Sequence, residues 1–389
     1  MDGAATMGRR IESIDIVRGV IMILMALDHV RDFFGNGAVN PTDLTQTTTP
    51  LFFTRWITHF CAPVFFLLTG TGAYLSLGRK SKRELSRFLL TRGLWLIFLE
   101  LVVVRCLGWQ FNFDYHLTVL VVLWALGSAM IVLSGLLYLP AWAVATFGLV
   151  LIAGHNLLDG IQSRNPIWTI LHSPFFIWFN PPYSIFVAYV LVPWVGVTAA
   201  GFGLGQIYRW TSQRRRGFLL SCGLGATGGF ILLRFVNAYG DPSRWAHQAS
   251  PGFTVLSFLN TTKYPPSLLY LLMTLGPALF FLWAIDEGTP RVLRPALVFG
   301  QVPMFYYLLH IPLIHVLAVG ACYLRYGQVH WMFESPAIQA FPTSQPPGWG
   351  VSLPVVYAVW GAVLLALYPL CRWFAELKRR RHEAWLSYL

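Results

Sequence analysis

From residue 14 to residue 373 the chain alternates long apolar runs with polar loops. Each run is continuously apolar and close to the ~20 residues that a helix needs to cross hydrocarbon. Strict alternation, the mark of barrel strands, is missing. The pattern predicts an all-α, polytopic transmembrane bundle of about ten spans. They fall at 14–34, 57–77, 88–108, 117–137, 140–156, 184–208, 217–238, 265–285, 295–320 and 351–373. Only Tyr138–Leu139–Pro140 separates the fourth from the fifth. One membrane domain, residues 1–389, is expected, because no soluble domain, linker or clear internal repeat interrupts the series.

Charge sets the orientation. Arg9 and Arg10, then GRKSKRELSR, RWTSQRRR, PRVLR and the tail ELKRRRHE, fall on one side, while the other receives little beyond Arg164, Arg244, Lys263 and Arg325. Basic loops stay inside, so both termini are expected in the cytoplasm. The long connections 35–56, 157–183, 239–264 and 321–350 then lie outside. The first run lacks a small-x-small cleavage site and carries charged residues, so it reads as a retained span.

Composition agrees. The chain is 56% hydrophobic and 11% charged, against ~25% charged in soluble domains. The net charge of +12 sits in short loops rather than in a basic domain, which argues against nucleic acid as a partner. Five cysteines show neither metal spacing nor a complete disulfide framework.

The first run is the least ordinary. On a helix, Asp15, Arg18, Met22, Met25, His29 and Asp32 form one stripe. Arg18 and His29 lie within ~20° of each other around the axis and ~16 Å apart along it. A polar stripe in a span faces the bundle interior or a wet cavity. Two readings are open for it. Arg18 is an interfacial anchor paired with Asp15 and His29 a packed imidazole, or the stripe carries chemistry. In the latter case it belongs to an enzyme or lines the path of a transporter. A non-catalytic envelope scaffold is a third option.

Arg, ten residues and His in a first span is similar to the signature of membrane-embedded acyltransferases. The segment RIESIDIVRGVIMILMALDHVRDFFG resembles bacterial members of the heparan-α-glucosaminide N-acetyltransferase family. So do FTRWITHFCAPVFFLLTGTGAYL, RGLWLIFLELVVVR, VPWVGVTAAGFGLG, FLNTTKYPPSLLYLLMTLGPAL, VPMFYYLLHIPLIH and YPLCRWFAELK. The resemblance implies a helical-bundle enzyme of a bacterial inner membrane. It would pass an acetyl group from cytoplasmic acetyl-CoA to a sugar or glycan on the far side. The catalytic His of the family's lysosomal enzyme lies in the external loop after the first span. This chain has no His between residues 30 and 58, so the role passes to His29, His59 or neither.

Acyl transfer from a thioester needs a base for the attacking group, and an imidazole suits that task. His29 is expected as base or transient acyl acceptor, with Asp32 one turn on to orient it. His59 is the second candidate, four residues from Arg55 at the mouth of the second span. Glu100 lies deep in LWLIFLELVVV and needs a partner from another span, Arg18 among the options. Arg18, with Asp15 and Glu100, is assigned to the donor's phosphate end. In NTTKYPPS, Lys263 and Asn260 precede a helix that Pro265 and Pro266 are placed to start; they suit an acidic acceptor or a CoA group, and with Arg55 they are assigned to substrate binding. His310 and His315 are spaced poorly for a shared metal. His116, His155, His172, His247 and His330 are given no role. No metal is expected, and a homodimer is allowed.

Overall fold

A computed structural model describes residues 11–178, 182–381 and 383–388. Arg9, Arg10 and His382, which entered the orientation reading, lie outside them. In chain order the elements are α1 (Glu12–Phe34), α2 (Thr49–Thr58), α3 (Cys61–Ser76) and α4 (Lys82–Phe98), whose coil widens to the π type over Leu99–Trp109. Then come β1 (Leu117–Leu120), α5 (Val122–Leu136), α6 (Ala141–Gly154), α7 (Pro166–Leu171), β2 (Phe176–Trp178) and β3 (Ser184–Val187). The chain continues with α8 (Leu191–Leu204), α9 (Ser212–Val236), α10 (Pro251–Leu259) and α11 (Leu268–Ile285). It ends with α12 (Arg294–Gln301), α13 (Pro303–Tyr326) and α14 (Leu353–Arg380).

The described residues are 70% helix and 4% strand. Among the described residues, six helical stretches are long and apolar enough to cross a membrane: Thr49–Ser76, Ala141–Leu158, Ser212–Val236, Leu268–Ile285, Pro303–Tyr326 and Leu353–Arg380. α1 is long enough, but both its ends are charged, and α5 is only 15 residues.

The all-α expectation needs a correction. β1, β3 and β2 form a small sheet in that order, β1 parallel and β2 antiparallel to β3. β1 and β3 occupy the starts of the expected spans 117–137 and 184–208. A short apolar run rich in β-branched and aromatic residues, such as LTVL or SIFV, reads equally as strand or helix by pattern alone. The expected span 295–320 is two helices. Pro303 forces its predecessor out of the helical region, and Val302 sits at φ −133, ψ 51. Ser267, not the preceding prolines, caps α11, accepting from the Tyr270 amide at 3.0 Å.

α1 is central. It packs against α2, α3, α12, α13 and α14. Its carbonyls also receive side-chain donors: Trp360 Nε1 at Ile23 O (2.8 Å) and Trp349 Nε1 at Phe33 O (2.9 Å). The approach to α12 is close because both helices offer glycine. A Cβ on Gly19 would stand 1.8 Å from the Ala296 carbonyl oxygen, and one on Gly300 would stand 1.7 Å from the Asp15 oxygen. α1 is therefore held with its polar stripe facing other helices rather than lipid.

Candidate active site

His29 lies against His310 of α13. Its Nδ1 is 2.8 Å from His310 Nε2, and the rings stack with centroids 4.9 Å apart. Trp109, the last residue of the π-type segment, meets the His29 ring edge-on at 4.8 Å. Backbone carbonyls assign the protons. His310 Nδ1 is 2.8 Å from Tyr307 O and 3.1 Å from Tyr306 O, and carbonyls only accept. So Nδ1 carries the hydrogen, and in the neutral ring Nε2 keeps the lone pair. His29 must then donate through Nδ1, which leaves the lone pair on its own Nε2. Among the described residues that nitrogen has no hydrogen-bond partner, and His29 is only partly buried. The arrangement leaves one imidazole lone pair, on His29 Nε2, whose tautomer a second imidazole fixes.

Ion pairs surround this pair. Asp28 accepts from Arg31 at 2.8 Å and from Arg55 at 2.5 Å, and Asp32 accepts from Arg31 at 2.6 Å. Asp32 therefore holds Arg31 and does not orient His29; His310 has that place. Arg55 pairs with Asp28 and also donates to Thr58 Oγ1 at 3.3 Å. Lys263 lies within electrostatic reach of Asp28 and Asp32. Its ammonium is 5.2 Å from the Tyr264 ring centroid. Among the described residues it has no carboxylate in ion-pair range, so the cluster of two carboxylates and three cations carries surplus positive charge. His59 borders the same cluster. It is 3% exposed, its ring meets Tyr270 edge-on at 5.4 Å, and its Nδ1 is buried without a partner. Asn260 is turned away from this site. Its amide donates to Thr42 O and its carbonyl accepts from Arg234, both at 2.8 Å. Arg234 donates to Phe258, Ser243, Ser257 and Asn260 carbonyls and so gathers the loop from 239 to 264.

At the other end of the stripe, Arg18 donates to Asp15 (3.0 Å) and to Gly300 O (3.3 Å). Asp15 is 4% exposed and so acts as an anchor for Arg18. Arg18 also lines a cavity of about 340 Å³ together with Arg92, Lys378, Gln301 and a mainly apolar wall. Met25 and Tyr307 are in that wall. They lie about one turn before His29 and His310, about 4.5–6 Å along their helices. The cavity thus runs from the cationic end of the stripe to about one helical turn short of the histidine pair.

Glu100 meets none of these cations. Its Oε2 accepts from the Leu123 amide at 2.8 Å, and the Trp124 amide also bonds its carboxyl. These are the first turn of α5, whose cap residue Val121 offers no side-chain acceptor. Glu100 supplies the missing cap from another helix, at the positive end of the α5 dipole. That explains a carboxyl in an apolar segment and corrects the expected Arg18 pairing.

His310, Trp109 and Tyr307 are site residues that sequence reasoning passed over. By sequence His310 is weighed only as a metal ligand with His315, and its actual partner lies 281 residues away in the chain. No spacing rule connects them.

Comparison with curated proteins found no match. A sequence model described as heparan-alpha-glucosaminide N-acetyltransferase, catalytic, matches residues 10–226. The match includes Arg18, His29, His59 and Glu100 and stops before Lys263 and His310. It spans more than half of the chain, and the chain belongs to the heparan-alpha-glucosaminide N-acetyltransferase catalytic family, a membership that implies a membrane acetyltransferase.

Proposed function

We propose that the protein uses acetyl-CoA, bound from the cytoplasm, to acetylate an amine or hydroxyl of a sugar or glycan on the outer side of a bacterial inner membrane. The observation that carries this reading is the Nε2 lone pair of His29, without a hydrogen-bond partner among the described residues, about one helical turn from a cavity that Arg18, Arg92 and Lys378 line. The fit to the donor is chemical. Arg18, Arg92 and Lys378 match phosphates. The apolar wall with Met22 and Met25 matches a pantetheine arm.

His29 Nε2 accepts the proton of the attacking N–H or O–H as that atom bonds to the acetyl carbonyl carbon. The thioester C–S bond then breaks, and the sulfur leaves as thiolate, which takes up the proton. Surplus positive charge at Arg31, Arg55 and Lys263 favours an acidic acceptor. In this reading the chain is one membrane domain that crosses ten times. The crossings are α1, α2 with α3, α4 with its π-type extension, α5, α6, α8, α9, α11, α12 with α13, and α14. Both termini are cytoplasmic.

The test is acetyl release from labelled acetyl-CoA by purified protein. His29→Ala should lower kcat by ~10²–10⁴-fold. Arg18→Ala should raise KM for the donor with a smaller change in kcat. Full turnover by His29→Ala would remove His29 from the mechanism.

A further inference from the structure

A second cluster stands apart from the histidine pair, in the turn after α6 and the loop around α7. His155 and Asp159 are four residues apart on one helical turn, and His172 follows α7. One ligand atom from each lies within 4.8 Å of the others. His155 and His172 are 2% and 1% exposed. Neither ring nitrogen of His155 has a hydrogen-bond partner, although the Pro266 carbonyl approaches the ring. His172 Nδ1 is buried and unpartnered as well, and Asp159 Oδ1 is buried without a hydrogen bond, with His172 Nε2 3.6 Å away. Burying that many unmatched polar atoms is costly unless something occupies the space between them.

We propose that His155, Asp159 and His172 form a site for a divalent transition-metal ion, with Zn²⁺ the best match to two imidazoles and a carboxylate. The surroundings are those of ligands already oriented. His172 Nε2 is 2.8 Å from the His155 backbone carbonyl, so Nε2 carries the hydrogen and Nδ1 keeps its lone pair. Asp159 Oδ2 accepts from Asn156 Nδ2 at 2.8 Å, which leaves Oδ1 for the ion. Trp168 stacks on the His172 ring at 5.1 Å and restricts its rotation. A ligating histidine with its other N–H on a carbonyl, and a ligating carboxylate held by a donor, are the usual outer-shell supports of a metal.

Ligand atoms of a tetrahedral zinc stand about 3.4 Å apart, so binding draws the three side chains slightly inward. Three protein ligands leave a fourth position. Asp159 and His172 border a cavity of about 510 Å³ that Gln162, Ser163, Arg164 and Pro265 also line, which gives a fourth ligand room to enter. Asn156 links the site to the acceptor side, because its Oδ1 also accepts from the Leu268 amide at the start of α11 at 2.8 Å. The ion would pin the loop that carries His172 to the α6 end and, through Asn156, to the segment that carries Lys263.

The test needs no acyl transfer and does not depend on the activity proposed above. Full-length protein in detergent, with its purification tag removed, is stripped with a chelator. It is then titrated with Zn²⁺ against a chromophoric competitor. One equivalent per chain is expected, and Co²⁺ in its place should give the visible absorption of a four-coordinate ion. His155→Gln and His172→Gln, each checked for monodispersity, should lose stoichiometric uptake. Asn156→Ala should weaken it by ~10–100-fold. Native protein that takes up no Zn²⁺ overturns the proposal without reliance on any variant. Uptake that survives both histidine substitutions overturns it too.

Discussion

His310 does its work through another residue. Its buried ring converts two backbone carbonyls into a fixed tautomer of His29. His310→Ala should therefore lower kcat by roughly 10²-fold, at the low end of what a positioned base contributes, and leave donor KM nearly unchanged. His310→Gln keeps an acceptor for His29 Nδ1 and should recover part of the rate. Steady-state kinetics of the two variants separate positioning from mere packing. Glu100 makes the opposite prediction. As a cap for α5 it holds structure, so Glu100→Ala strands buried amides at a cost of about 1–3 kcal/mol. Thermal denaturation in detergent should show the loss, while Glu100→Gln, which retains an acceptor oxygen, should lose less. Neither should change donor KM. The stripe that holds Arg18 and His29 was legible because helical periodicity is local. The roles of Glu100 and Asp32 were not, because partner choice depended on which amide or cation the packing brought within 3 Å.

Elements meet here through small residues. The α1–α12 crossing depends on Gly19 and Gly300, and the α3–α8 crossing repeats the device. A Cβ on Gly70 would be 1.9 Å from Thr198 O and one on Gly201 would be 2.1 Å from Leu67 O, with Thr71 Oγ1 donating to Gly201 O at 3.0 Å. Such contacts leave no room for a methyl group. Gly19→Ala should destabilise by about 1–3 kcal/mol or more. It should also disturb Arg18 beside it, so donor KM should rise together with the loss of thermal stability. Gly228→Ala in α9 is the control. A Cβ there meets nothing within 4 Å, and both measurements should stay near native. The apolar runs announced most helices correctly, since burial in lipid imposes a length on them. They misreported the element type where β1 and β3 pair, because strand pairing is a contact between residues such as Leu117 and Ser184.

For the whole molecule, the histidine pair and the cationic cavity lie along one central helix, and the reaction proposed for them has a sidedness. In sealed vesicles of known orientation, labelled acetyl-CoA should support transfer only from the cytoplasmic face, and acetylated product should appear only on the other. Donor that works equally from the outer face would refute the assigned orientation. The same experiment distinguishes group transfer from transport, because a transporter would move intact donor or acceptor across without acetylating it.

By itself the sequence determined what local rules govern: a membrane bundle and a first helix with an arginine and a histidine on one face. It also carried enough family pattern over residues 10–226 to identify the acetyltransferase family. Only the tertiary structure decided which groups meet. It paired His29 with His310, gave Glu100 to the amides of α5, tied Asn260 to the Thr42 loop, and gathered His155, Asp159 and His172 around one point. The physical reason is range. Periodicity and charge bias act over a helical turn or a loop, whereas a hydrogen bond forms between whatever groups close packing leaves within about 3 Å, however far apart they lie in the chain.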